Sequence, residues 1–230
     1  MKLIRYGIIL RRISISDIEM VRNARNSVRH LMNYKAYITP EMQLNWFHSI
    51  NNSSNFYYII QAGEGDIGLI HEKNASIHAG ELLDNSEGGI FLFREEYHNH
   101  PAAVLAALIL IEKGFYLFGD RQSVIHIQRD NEKAIRFNEK LGYQLLKGEE
   151  TNVHQKYILT KENFIKKTSR LRKAALRLSR SDNTLTCIMD KNDYLSSFGM
   201  EIEKINNEAG FYFSDYKDGA RICQSSIPLD

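Results

Sequence analysis

Hydrophobic positions along the chain change period several times, and each change marks a boundary between a strand and a helix. Ile8 to Ser14 predicts a strand. Ser16-Asp17-Ile18-Glu19 then supplies a cap serine with glutamate three residues on, which starts a helix. Thr39-Pro40-Glu41-Met42 announces a second helix by its cap, its proline at the first helical position and its early acid. That helix runs to about Asn51, with Trp46 and Phe47 packing inward. Phe56 to Ile60 and Ile67 to Ile70 are β-branched or aromatic runs on either side of Gly63-Glu64-Gly65-Asp66, the pattern of a hairpin. Lys73 to Asn85 is polar and reads as a loop or ragged strand. Gly89 to Phe93 is apolar without alternation, so it is expected at the centre of a sheet with both faces covered. Pro101 to Phe118 predicts a helix that is apolar almost all round and buried on most sides, and Ser123 to Gln128 predicts a further strand.

Asn131 to Leu141 places Ala134, Phe137 and Leu141 on one helical stripe and meets Gly142 at its end. Tyr143 to Leu146 and Lys156 to Leu159 give a last strand pair. The order β-α-α-β-β-β-α-β-α-β-β predicts a mixed α/β sheet with helices on both faces, ending near Thr160. Beyond it the composition shifts. Lys161 to Arg180 holds eight Lys or Arg against the single Glu162, with Phe164, Leu171, Ala175 and Leu178 at helical spacing as the docking stripe. A break at Ser179 to Asn183 precedes a small β-α-β-β pattern made of Leu185–Met189, Tyr194–Asn206, Gly210–Ser214 and Ala220–Ser225. The expected division is a domain over residues 1–160 and a C-terminal basic helix with a small α+β appendage over 161–230.

Composition narrows the class more than the function. Hydrophobic residues at 43% and charged residues at 25% are globular proportions, and a net charge of +2 offers no general attraction to nucleic acid or to an anionic membrane. Cys187 and Cys223 stand far apart without a CxxC pattern, so buried thiols in a reducing compartment are expected. The longest apolar run near the N-terminus, Ile8-Ile9-Leu10, is too short for a signal peptide, and no stretch reads as a membrane span. A cytoplasmic location is the expectation.

Asn131-Glu132-Lys133-Ala134-Ile135-Arg136-Phe137-Asn138-Glu139-Lys140-Leu141-Gly142-Tyr143 resembles the last block of GNAT acetyltransferases, N-x-x-A/S followed six residues later by K-x-G-F/Y. Arg22-Asn23-Ala24-Arg25-Asn26 and Thr39 to Phe47 resemble blocks of the branch that holds ribosomal-protein and nucleotide-linked amino-sugar N-acetyltransferases. The likeness covers about residues 8 to 160, and the independent element order agrees with it. It implies a splayed GNAT-like sheet whose fourth strand, Ile90 to Phe93 by position, offers backbone groups to acetyl-CoA as co-substrate, with Phe91, Leu92 and Phe93 as the cofactor-side residues. The pyrophosphate would rest on the start of the next helix, at His98, Asn99, His100, Ala102 and Ala103, where orphan N–H groups favour an anion. Asn131 and Ala134 belong to the same cofactor side. The loop departs from the family pattern by carrying Pro101 where a glycine is usual, which removes one donor yet suits a first helical turn.

Acyl transfer to an amine needs a base for the amine, a donor for the oxyanion and a proton for the leaving thiolate. By resemblance Glu87, two residues before Gly89, is the candidate base; the plainer reading is a solvated glutamate. The family's usual acid, a helix tyrosine, is replaced by Asn138, so Tyr143 is the nearest catalytic candidate and Tyr157 the next, each of them otherwise a packing residue. Arg25 and Asn26 border the acceptor side in this branch, where an arginine grips a phosphate or carboxylate. His71, and with it His78, flanks the presumed acceptor cleft. His98 and His100 are too few for a metal site, and no metal is expected. The expected activity is acetyl transfer to a primary amine of a small molecule, a nucleotide-linked amino sugar before a protein N-terminus, a polyamine or a catalytically silent binding module. No nucleic-acid or membrane partner is expected, and a homodimer is left open.

Overall fold

The structure, a computed structural model, describes residues 1–31, 34–63, 65–73, 87–97 and 100–229, the side chains of Leu31, Glu87 and Glu95 excepted. In chain order the elements are β1 (Lys2–Arg5), β2 (Ile8–Arg12), α1 (Ile18–Ser27), α2 (Pro40–Ile50), β3 (Phe56–Ala62), β4 (Gly65–Lys73) and β5 (Glu87–Leu92). Then follow α3 (Ala102–Leu117), β6 (Gln122–Gln128), α4 (Glu132–Leu141), β7 (Gln144–Leu145), β8 (His154–Thr160) and α5 (Lys161–Ser179). The chain finishes with β9 (Thr184–Met189), α6 (Lys191–Leu195), α7 (Ser197–Glu208), β10 (Ser214–Asp215) and β11 (Arg221–Ser226). Of the polar stretch Lys73 to Asn85, expected as a loop or ragged strand, Lys73 ends β4 and the rest lies outside the described residues.

The strands form an eight-stranded sheet in the order β10-β11-β9-β1-β2-β3-β4-β5 and a three-stranded sheet β6-β8-β7. Two apolar layers cover the large sheet. Ile13, Val21, Phe47, Tyr57, Ile59, Leu69, Phe91 and Phe93 pack one face under α1 and α2. The other face packs on α3, whose Ala102, Ala106, Leu108, Ile109 and Leu117 are buried, together with Phe164 of α5 and Phe198 and Ile202 of α7. This is the expected α/β sheet with helices on both faces.

Several local signals act as read. Thr39 Oγ1 accepts from Met42 N–H and Pro40 opens α2. Gly142 closes α4 at φ 104°, a left-handed conformation that a side chain resists. Cys187 and Cys223 are buried free thiols, and burial pushes the Cys187 thiol up to about 12. Other expectations are corrected. Asp17, not Glu19, closes the first cap: its carboxylate accepts from Ser14 N–H at 2.8 Å and from the Ser14 hydroxyl at 2.7 Å, two residues before the serine expected to cap. The strand expected at the sheet centre, β5, lies at an edge, paired with β4 alone among the described residues.

The C-terminal β-α-β-β pattern is present, and its strands continue the main sheet: Lys2, Leu3 and Ile4 pair with Ile188, Cys187 and Thr186. Of the expected docking stripe of α5, Phe164 and Ala175 face inward and the other two do not. Leu171 and Leu178 are exposed, the latter by 86%, while Phe164, Thr168, Arg172, Ala175 and Leu176 face inward. Arg172 can be buried because Glu112 lies 3.6 Å from its Nη1 and the Pro228 carbonyl accepts from the same nitrogen at 2.8 Å. Arg5 Nε stands 2.9 Å from the other oxygen of Glu112, and Tyr6 donates its hydroxyl to that carboxylate at 2.7 Å.

Candidate active site

The open edge of β5 is the starting point. Phe93 N–H donates to the Ile67 carbonyl at 3.0 Å, and the register sets Leu69 opposite Phe91 and His71 opposite Gly89. Residues of an antiparallel ladder alternately exchange both bonds and turn both groups away. Gly88, Ile90 and Leu92 therefore direct N–H and C=O away from β4, toward the side where β6 runs. Among the described residues no ladder joins β5 to β6, although a Cβ on Gly88 would lie 3.2 Å from Ile125 Cγ2. Of the three positions expected to present backbone, Leu92 does so. Phe91 and Phe93 spend their amides on β4 and bury their rings. Ile90, which begins the strand expected to take the pantetheine arm, presents its backbone as well, and the pairing phase separates it and Leu92 from the two phenylalanines.

At the start of α3, Pro101 has φ −62°, a helical value. The His100 ring bends back so that Nδ1 accepts the Ala102 N–H at 3.1 Å, which puts the ring proton on Nε2. Ala103 N–H makes only a long 3.4 Å bond to the His100 carbonyl. Thus one of the amides expected to hold phosphate is capped by a neighbouring side chain. His98 and Asn99 lie outside the described residues. On α4, Asn131 Oδ1 accepts from Ala134 N–H and Asn138 Nδ2 donates to the Ala134 carbonyl, so these groups serve the helix itself.

The opposite face of the β4–β5 edge carries a row of three register partners, Tyr57, His71 and Gly89. The His71 imidazole lies parallel on the Tyr57 ring, centroids 4.7 Å apart, and Trp46 meets Tyr57 edge-on at 5.3 Å. A Cβ on Gly89 would fall 2.9 Å from His71 Nε2 and closer still to Cε1, so the ring leans over the β5 backbone and needs glycine beneath it. Arg25 of α1 reaches the same face beside Tyr57. Its Nε is buried with no hydrogen-bond partner, and burial lowers the guanidinium pKa. Asn26 does other work than substrate binding: Nδ2 donates to the Ile38 carbonyl at 3.0 Å and Oδ1 accepts the Ile38 N–H at 2.9 Å, which pins the α1–α2 loop.

Glu87 opens β5 opposite Lys73, and its side chain lies outside the described residues, as does His78. Tyr143 belongs to the core, where its hydroxyl sits 2.7 Å from Ser123 Oγ and burial drives its pKa above the ordinary phenol range. A phenol so held is a poor proton donor. Tyr157 is also buried, donating weakly to Gln155 Oε1 at 3.3 Å. Among the described residues no three His, Cys, Asp or Glu stand together as a metal site, and no helix is long and apolar enough to cross a membrane.

Comparison with solved structures finds the same fold in acetyltransferases. Apo FdhC, a nucleotide-linked sugar GNAT, is 24% identical with a TM-score of 0.59 over 74% of this chain and 96% of its own. A Vibrio cholerae spermidine N-acetyltransferase in complex with CoA and spermine is 14% identical, TM-score 0.54, over 70% and 99%. A Bacillus anthracis GNAT-family acetyltransferase is 21% identical, TM-score 0.54, over 70% and 99%. No curated protein matches the chain. The model of the acetyltransferase (GNAT) domain matches residues 8–144, more than half the length, and so the chain belongs to the GNAT acetyltransferases and is an N-acetyltransferase enzyme.

Proposed function

We propose that the chain transfers an acetyl group from acetyl-CoA to the primary amine of a small anionic acceptor, a nucleotide-linked amino sugar. The carrying observation is Arg25. A half-buried guanidinium that forms no ion pair among the described residues stands near Tyr57, on whose ring His71 stacks, and a diphosphate is the ligand chemistry it suits. A polyamine would ask for carboxylates at that place. On the other side of β5 the residues fit the thioester carrier: the outward amides and carbonyls of Ile90 and Leu92 form an open strand edge of the kind that takes an amide-bearing chain. The start of α3 adds a dipole that favours pyrophosphate, with His100 holding one amide.

Thermal melting with CoA and acetyl-CoA tests the first half of this reading. Ligand at 100 times its dissociation constant adds about 2.7 kcal/mol of stability. Thiol release on addition of nucleotide-linked amino sugars, measured against spermidine, tests the second. Arg25→Ala is expected to raise the acceptor KM at least tenfold while leaving CoA binding unchanged. Preferential turnover of spermidine by the wild type would refute the acceptor assignment.

A further inference from the structure

We propose that His71 carries the proton of the transfer, an inference that rests on the acetyl-transfer reading above. Starting from a neutral amine, its nitrogen lone pair bonds to the thioester carbonyl carbon while the imidazole of His71 takes the N–H proton. The carbon–sulfur bond then breaks, the electron pair leaves with sulfur, and the imidazolium returns the proton to it. An amide and a thiol result, and the histidine ends unchanged.

Three observations carry this. The ring stands over the β5 backbone at Gly89, between Gly88 and Ile90, which both turn their N–H and C=O toward the gap. Its orientation is set by a parallel stack on Tyr57, which Trp46 braces from the side. The groups that sequence alone offers as acids are held elsewhere: Tyr143 is a core phenol bonded to Ser123, and Tyr157 is buried with its hydroxyl on Gln155. One group that both accepts and returns the proton needs no separate acid. A glycine at 89 is then part of the device, because any side chain there displaces the ring.

The test compares His71→Asn, His71→Gly, Gly89→Ala and Glu87→Gln, with melting curves in CoA showing that each folds and binds. Loss of general acid–base help is expected to lower kcat by about 10²–10⁴-fold in the first three, with the acceptor KM changed by only a few-fold. Substituted imidazoles are expected to restore part of the His71→Gly rate in order of their basicity. A readout independent of turnover is the imidazole nitrogen resonance missing from His71→Asn, which should shift when the wild type binds an amine tethered to CoA. Retention of about a third of kcat by His71→Asn, an unmoved resonance, or loss confined to Glu87→Gln would each overturn the assignment. A wild type that acetylates no amine would instead remove the activity reading, and this inference with it.

Discussion

Replacing Glu112 by glutamine is the sharpest probe of how the C-terminal third is fastened. Its carboxylate is fully buried between Arg5 at 2.9 Å and Arg172 at 3.6 Å, and accepts the Tyr6 hydroxyl at 2.7 Å. Burial raises its pKa, and the two guanidiniums oppose that shift. Glutamine keeps the volume and an acceptor for Tyr6 but leaves two buried cations without a counter-charge. Breaking a buried pair in this way costs about 3–5 kcal/mol. For a chain of this size 1 kcal/mol moves Tm by about 2–4 °C, so a fall of about 6–20 °C is expected by circular dichroism. Adding Arg172→Met removes one stranded charge and is expected to restore part of the loss. A fall below about 3 °C for Glu112→Gln would show that the cluster does not hold the fold as argued.

Asn26→Ala deletes both bonds to Ile38 and is expected to cost about 1–3 kcal/mol in urea unfolding while raising the acceptor KM; a change in CoA affinity instead would contradict its role as a loop pin. Burial, then Glu72, pushes the Asp120 carboxyl up to about 7 from its usual 3.8, with Lys113 opposing. The folded pKa is the higher one, so the protonated form contributes stability fully below about pH 4 and loses it as pH rises through about 7. Asp120→Asn should therefore shrink the stability lost between pH 5 and 8, by an amount on the order of 1 kcal/mol given partial exposure; an unchanged difference would refute it. A chain cut after Thr160 loses Phe164 and the strand paired with β1, and is expected to show no cooperative melting transition.

Legibility along the sequence followed how local the physics is. The Thr39-Pro40 cap and the Gly142 stop depend on neighbours within one helical turn, and each sits where read. β1 was missed because its hairpin turns through Tyr6 and Gly7, both at positive φ, and a tyrosine there hides the usual turn signature. The stripe of α5 was misread in part because Arg172 occupies an inward position that Glu112, sixty residues upstream, and the Pro228 carbonyl make tolerable, while Thr168 turns its hydroxyl back to the Phe164 carbonyl. The candidate site shows the same limit. Arg25 and His71 were legible as polar groups on the acceptor side and Tyr143 as a packing residue, whereas Asn26 as a loop pin, the Ser123 partner of Tyr143 and the separation of Ile90 and Leu92 from Phe91 and Phe93 depend on pairing phase and on contacts across the fold.

The pairing of β1 with β9 also sets a timetable. Leu3 is synthesised long before Cys187, its opposite number, so the second edge of β1 waits open while nearly the whole chain is made. An unpaired edge is a template for the wrong neighbour, and ladders closed over such distances form slowly. The nascent enzyme thus leaves β1 exposed for a long interval, and conditions that slow synthesis of the segment between α5 and β9 should cost yield before they cost activity.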